Sequence, residues 1–181
     1  GFGADLGAEK FLDIKCVSAG LKPKAVVLVA TVRALRYHGG ADLKLVNEPN
    51  AAAVEKGLAN LEKHVENIAK FGLRCVVAIN KFTTDTDEEI ALIKQRCESL
   101  GQSAVVADVW GQGGEGAEDL AQEVVKIVEA GESNFKPLYD WSWPVEKKIE
   151  TVAKEIYGAS DVAYSSSARI ALRRIKKLGL E

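Results

Sequence analysis

Val26-Val27-Leu28-Val29-Ala30-Thr31-Val32 is an unbroken apolar, β-branched run, the form taken by a strand buried on both faces. Cys75-Val76-Val77-Ala78-Ile79-Asn80 and Ala104-Val105-Val106-Ala107-Asp108-Val109 repeat it. The segments between them follow a helical period. Val54, Leu58, Leu61, Val65 and Ile68 advance by four, three, four and three residues, which draws one apolar stripe. Gly72 follows where a helix terminus favours a residue free to adopt positive φ. Thr86 and Glu89 have the spacing of a capping box ahead of a second stripe, Ile90, Ile93, Cys97 and Leu100, closed by Gly101. A third helix is expected from about Ala117, with Leu120, Val124 and Ile127 facing inward. Strands alternating with helices predict an α/β fold, a mostly parallel sheet with flanking helices and right-handed crossovers.

The character changes after Gly131. Residues 134–144 hold Tyr139, Trp141, Trp143 and two prolines, which reads as a connector anchored by aromatic rings. Pro144 opens a further helix with Val145, Ile149, Val152 and Ile156 inward and Gly158 at its end. Ser165 to Ser167 can cap a last, basic helix ending near Gly179. Its Arg169, Arg173, Arg174, Lys176 and Lys177 could suggest an anionic partner, but with the acidic balance elsewhere they read as a solvated face. The expected division is residues 1–133 as the α/β portion and 134–181 as a connector and helical appendage leading to a following domain.

Composition narrows the class. The chain has 181 residues, 47% hydrophobic and 28% charged, which excludes intrinsic disorder and suits one domain with a small appendage. A net charge of −2 makes no electrostatic case for nucleic acid as a partner. No apolar run approaches the ~18 residues that would make a membrane span, so no membrane partner is expected. Cys16, Cys75 and Cys97 form no CxxC pair, which predicts buried small hydrophobes rather than metal ligands, and a cytoplasmic protein. The absence of Met, with an opening Gly1-Phe2-Gly3, predicts an internal piece of a longer polypeptide.

In open parallel sheets, ligands bind beyond the carboxyl ends of the strands. Residues 33–40, 80–86 and 110–116 follow the three predicted strands, and residues 1–7 form a further Gly-rich segment. Phe82 and Trp110 stand just past strand ends among polar and glycine neighbours. They are either core residues or the two faces of a clamp that stacks a flat heterocycle, each contact contributing about 1 kcal/mol beyond area burial. Asn80-Lys81 resembles the base-reading Asn-Lys-x-Asp motif of P-loop GTPases, but Thr83 holds the fourth position and the acid arrives at Asp85. The phosphate-cradling Gly-x-x-x-x-Gly-Lys-Ser/Thr pattern does not occur in the chain. Residues 111–116 can offer backbone N–H groups to an anion, which Glu115 opposes.

Longer motifs carry a resemblance. Gly1-Phe2-Gly3-Ala4-Asp5-Leu6-Gly7-Ala8-Glu9-Lys10-Phe11, Ala30-Thr31-Val32-Arg33-Ala34-Leu35 with His38-Gly39-Gly40, and Ala59-Asn60-Leu61-Glu62-Lys63-His64 resemble formate–tetrahydrofolate ligase. So do Thr84-Asp85-Thr86, Gly113-Gly114-Glu115-Gly116 and Glu155-Ile156-Tyr157-Gly158-Ala159, so that the resemblance runs end to end. It implies an ATP-dependent enzyme that phosphorylates formate and passes the formyl group to the tetrahydrofolate amine. It further implies a P-loop NTPase-related three-layer fold, Mg2+ with the ATP, an activating monovalent cation (K+ or NH4+) and a homotetramer.

Residue by residue, the resemblance assigns Phe82 and Trp110 to the pterin sandwich. It sets Phe2 beside the folate pocket and Gly7 beside formyl phosphate. Asn80, Lys81, Asp85, Gly111, Gly113 and Gly114 fall on nucleotide-side or pocket-lining loops. Thr83 replaces a proline common in relatives. No catalytic residue and no metal ligand is assigned to this chain, because the phosphate-loop lysine and the formyl-phosphate arginine map upstream of Gly1. The chain alone is therefore expected to be inactive. The alternative reading is a stand-alone, non-catalytic P-loop-like nucleotide-binding or interaction module. It rests on Asn80-Lys81 without a phosphate loop. A scaffold role in subunit contacts would rest on Trp141 and Trp143.

Overall fold

A computed structural model of the protein describes residues 5–180. In chain order the elements are α1 (Asp5–Lys10), a π-helical stretch (Phe11–Cys16), α2 (Val17–Ala19), β1 (Val26–Ala30), α3 (Val32–His38) and α4 (Ala51–Lys70). There follow β2 (Cys75–Asn80), α5 (Asp87–Ser99), β3 (Ser103–Ala107), α6 (Val109–Gln112) and a 3-10 stretch (Gly113–Ala117). The last three are α7 (Glu118–Ala130), α8 (Val145–Glu155) and α9 (Ser166–Lys177). The described chain divides into two units, one of residues Lys22–Phe135 and one joining 5–21 to 136–180.

The first unit is the expected α/β fold. Its three strands run parallel in the order β1-β2-β3, with Val27 opposite Val76 and Val76 opposite Ser103. β2 is central, and Val76, Val77 and Ile79 are fully enclosed, as a strand covered on both faces requires. β1 departs from expectation: Leu28 and Ala30 are buried while Val27 and Val29 are exposed, so this strand is covered on one face only. Two predicted strands also end early. Val32 begins a helix because the Thr31 hydroxyl accepts the Ala34 N–H, and Val109 begins another behind Asp108. The segment after β1 is thus largely helix rather than loop.

α4 buries the predicted stripe of Val54, Leu58, Leu61, Val65 and Ile68. α3 lies against it so closely that a Cβ on Gly57 would stand 2.0 Å from the Leu35 carbonyl oxygen, and one on Gly39 would stand 1.7 Å from that of Ala53. α5 starts with the capping box of Thr86 and Glu89 and buries Ile90, Ile93 and Cys97. Leu100, expected inward, is an exposed residue at the end of that helix. Leu120, Val124 and Ile127 of α7 are half-buried.

In the second unit, Leu12 and Cys16 of the π-helical stretch are buried, as is Ile156 just after α8. The Trp141 indole Nε1 donates to the Asp13 carbonyl at 2.8 Å, and the Leu138 N–H donates to Asp13 Oδ1 at 2.7 Å. Lys147 Nζ sits 3.6 Å above the Trp143 ring. Ser165 caps α9 through the Ala168 N–H. Among the described residues, no helix is long and apolar enough to cross a membrane.

Candidate functional site

β2 and β3 end side by side, Asn80 pairing with Ala107. The Lys81 N–H donates to the Ala107 carbonyl at 3.2 Å, which carries the ladder one step past the last strand residue. Both chains then leave the sheet at its carboxyl edge, where adjacent strands lie about 4.8 Å apart. Phe82 follows two residues beyond one strand and Trp110 three beyond the other. Phe82 is 45% exposed and Trp110 is 80% exposed. Neither ring is enclosed by the described residues.

The loop that carries Trp110 is built on Asp108. Asp108 Oδ1 accepts the Gly111 N–H at 3.0 Å and Oδ2 accepts Gln112 Nε2 at 3.1 Å. Its own N–H donates to the Gly116 carbonyl at 3.1 Å, closing the loop at its base. The hydrogen bonds from Gln112 and Gly111 hold the Asp108 carboxyl below its ordinary value, and the nearby Lys81 charge acts in the same sense. Gly113 has φ +62° and ψ −140°, a conformation open essentially to glycine alone. A Cβ at Gly116 would stand 2.2 Å from the Asp108 carbonyl oxygen.

The loop that carries Phe82 is built on Asp85. Asp85 Oδ2 accepts the Phe82 N–H at 2.8 Å, and the Asp85 N–H donates back to the Phe82 carbonyl at 3.0 Å. The Asp85 side chain is 1% exposed and faces inward, Oδ1 lying 3.8 Å from Arg36 Nη2. Desolvation pushes its carboxyl above the ordinary value, against the pull of the Phe82 N–H and of Arg36.

Arg36 of α3 is the hub beneath this loop. Its guanidinium is wholly buried and donates to Glu89 Oε1 through Nε at 2.7 Å and to Glu89 Oε2 through Nη2 at 2.6 Å. Nη1 donates to the Val46 carbonyl and Nη2 also to the Thr84 carbonyl, each at 3.0 Å. Glu89 in turn accepts the N–H groups of Asn50 and Thr86 and the Thr86 hydroxyl. Burial opposes its charge, but these donors outweigh it and hold the Glu89 carboxyl at about 2. The Glu89 hydrogen bond raises Arg36 above its ordinary value.

Of the other sequence candidates, Asn80 ends β2 and Lys81 follows it, and Gly111, Gly113 and Gly114 lie on the Trp110 loop. Gly7 lies within α1, with open space around the position of a Cβ. Phe2 lies outside the described residues. Sequence reasoning did not single out Arg36 or Asp108. The pattern Asp108-x-x-Gly111 carried a capping signal that could have been read, whereas Arg36 and Glu89 are 53 residues apart and nothing local links them.

The sequence profile of one family, described as formate–tetrahydrofolate ligase, matches residues 1–181. A formate–tetrahydrofolate ligase from Granulibacter bethesdensis is 52% identical over 179 residues, covering 99% of this chain. The chain spans 31% of that relative's length.

Proposed function

Because the chain belongs to the formate–tetrahydrofolate ligase family, we propose that it supplies the folate platform of an enzyme that joins formate to tetrahydrofolate at the expense of ATP. The observation that carries this reading is the pair of exposed aromatic rings, Phe82 and Trp110, on the adjoining carboxyl ends of β2 and β3. An exposed ring on an anchored loop offers a face on which a flat heterocycle can stack, and a pterin offers a flat face of the right kind.

In the reaction we propose, a formate oxygen attacks the γ-phosphorus of ATP, ADP leaves, and formyl phosphate results. The folate amine then attacks the formyl carbon, loses its proton and expels phosphate. Phe82 and Trp110 hold the pterin plane, so that the amine meets the formyl group in one orientation rather than many. Phe2 borders the same pocket and Gly7 borders formyl phosphate. Asn80, Lys81, Asp85, Gly111, Gly113 and Gly114 belong to the loops that line the nucleotide and folate sides. The resemblance in sequence is the support for these assignments, for the homotetramer and for kinship with P-loop NTPases. It also supports placing the phosphate-loop lysine elsewhere in the longer polypeptide, which would leave this chain alone inactive.

Magnesium and a monovalent cation accompany ATP in this reading. Among the described residues, no group of three or more His, Cys, Asp or Glu side chains is placed to hold a metal ion, and no step is routed through either.

A titration of the complete ligase with tetrahydrofolate tests the reading. Trp110→Ala is expected to weaken folate binding about tenfold or more while leaving ATP binding unchanged. Unchanged folate affinity would remove Trp110 from the site and the platform with it.

A further inference from the structure

We infer that Asp85 is a positioning residue for Phe82, a role that rests on the folate-platform reading. Phe82 is 45% exposed. Its backbone is held at both its N–H and its carbonyl by Asp85. Asp85 Oδ2 accepts the Phe82 N–H at 2.8 Å, and the Asp85 N–H returns to the Phe82 carbonyl at 3.0 Å. These reciprocal bonds close a turn with Phe82 at its start.

That turn would still rock as a unit if Asp85 were free. It is not free: its side chain is 1% exposed and Oδ1 faces the buried Arg36 at 3.8 Å. Arg36 is itself locked by two bonds to Glu89 of α5 and one to the Val46 carbonyl. Arg36 Nη2 also grips the Thr84 carbonyl, and Glu89 grips the Thr86 N–H. Successive residues of the loop are thus tied to one buried ionic cluster anchored on α3 and α5. The cluster lies beneath the loop, with the Arg36 and Glu89 side chains buried.

The physical consequence is pre-organisation. A ring on a mobile loop must be ordered when it stacks on a flat ligand, and that ordering subtracts from affinity. A ring on a clamped turn has been ordered on folding. Asp85 transmits the rigidity of the Arg36–Glu89 pair to the one backbone amide that sets where the Phe82 side chain leaves the chain.

The test uses steady-state kinetics of the complete ligase with Asp85→Ala, Asp85→Asn, Phe82→Ala and the Asp85→Ala/Phe82→Ala double variant. Asp85→Ala is expected to raise the KM for tetrahydrofolate about tenfold, with the KM for ATP unchanged. In the Phe82→Ala background the same substitution should add little, because the ring it aims is gone. Asp85→Asn, whose amide oxygen can still accept the Phe82 N–H, should recover most of the loss. An unchanged tetrahydrofolate KM in Asp85→Ala, where Phe82→Ala does raise it, overturns the positioning role and leaves the platform standing. Full additivity in the double variant overturns it as well. If Phe82→Ala itself has no effect, the platform reading falls first and the inference with it. Should Asp85→Ala not fold, the Phe82 amide of the unaltered protein decides: exchange slowed at least about tenfold against an open loop is expected, and free exchange overturns the inference.

Discussion

Arg36 and Glu89, 53 residues apart in the chain, meet in a buried two-pronged ion pair with contacts of 2.7 and 2.6 Å. The guanidinium fork matches the carboxylate plane, and every remaining direction around Glu89 is occupied by a donor from Asn50 or Thr86. Such a cluster contributes little against an apolar replacement of equal shape, but breaking one side strands a charge in the interior. Arg36→Ala is therefore expected to cost about 3–5 kcal/mol in urea unfolding. Removal of the exposed Lys63–Glu66 pair, 2.9 Å apart, should cost at most about 1 kcal/mol. Equal losses for the two would contradict the assignment.

The same cluster sets an acid limit for the α/β unit. Glu89 has its folded value near 2 against an ordinary 4.5, so its ionised form is favoured by folding. The stabilisation, on the order of 3 kcal/mol, is complete above the ordinary value and lost as pH falls from about 4.5 towards 2. Glu89→Gln should flatten the pH dependence of amide protection in that range. A slope unchanged by the substitution would place the acid sensitivity elsewhere.

Asp13 predicts the opposite sign for the unit of residues 5–21 and 136–180. Desolvation raises its carboxyl to about 7 from 3.8; the Leu138 N–H opposes that shift, and the charge of Glu9 adds to it. The folded unit thus binds a proton that the unfolded chain releases, and stability falls as pH rises from about 4 to about 7. Urea midpoints measured across that window should decline in the unaltered protein and decline less in Asp13→Asn. A midpoint that rises with pH would refute the buried, protonated carboxyl.

Gly57 lies inside α4, where glycine ordinarily costs about 1 kcal/mol against alanine. Here the sign reverses, because an alanine Cβ would meet the Leu35 carbonyl oxygen at 2.0 Å. Backbone on both sides must shift, so Gly57→Ala is expected to destabilise by about 1–3 kcal/mol. A stabilised variant in thermal unfolding would show that α3 and α4 are not pressed together as described.

Trp110, 80% exposed, makes a contrasting case. Trp110→Ala should move the unfolding free energy by no more than about 0.5 kcal/mol, as for surface positions without special contacts. A large loss would mean that the ring packs in the interior and would remove it from the proposed platform.

Much of the α/β unit was legible because its elements are dictated locally. β2 runs from Cys75 to Asn80 as its apolar run indicated, since a strand covered on both faces admits no polar position. The α4 stripe and the Thr86–Glu89 box followed from spacing alone. Val32 and Val109 misled for the same local reason: β-branched residues prolong a strand pattern, while the side chains of Thr31 and Asp108 had already turned the chain into helix.

Phe82 and Trp110 were legible as positions beyond strand ends, but their exposure was not, and neither was what holds them. By itself the sequence determined that three strands alternate with helices, the buried stripe of α4, the cap of α5 and which rings stand past strand ends, because periodicity and capping act over a few residues. Only the tertiary structure decided that Arg36 would reach Glu89 and Thr84, that Asp85 would face inward, and that Val27 and Val29 would be left exposed. Those outcomes depend on charges and surfaces brought together across tens of residues. Burial makes such meetings strong, but no local pattern records them.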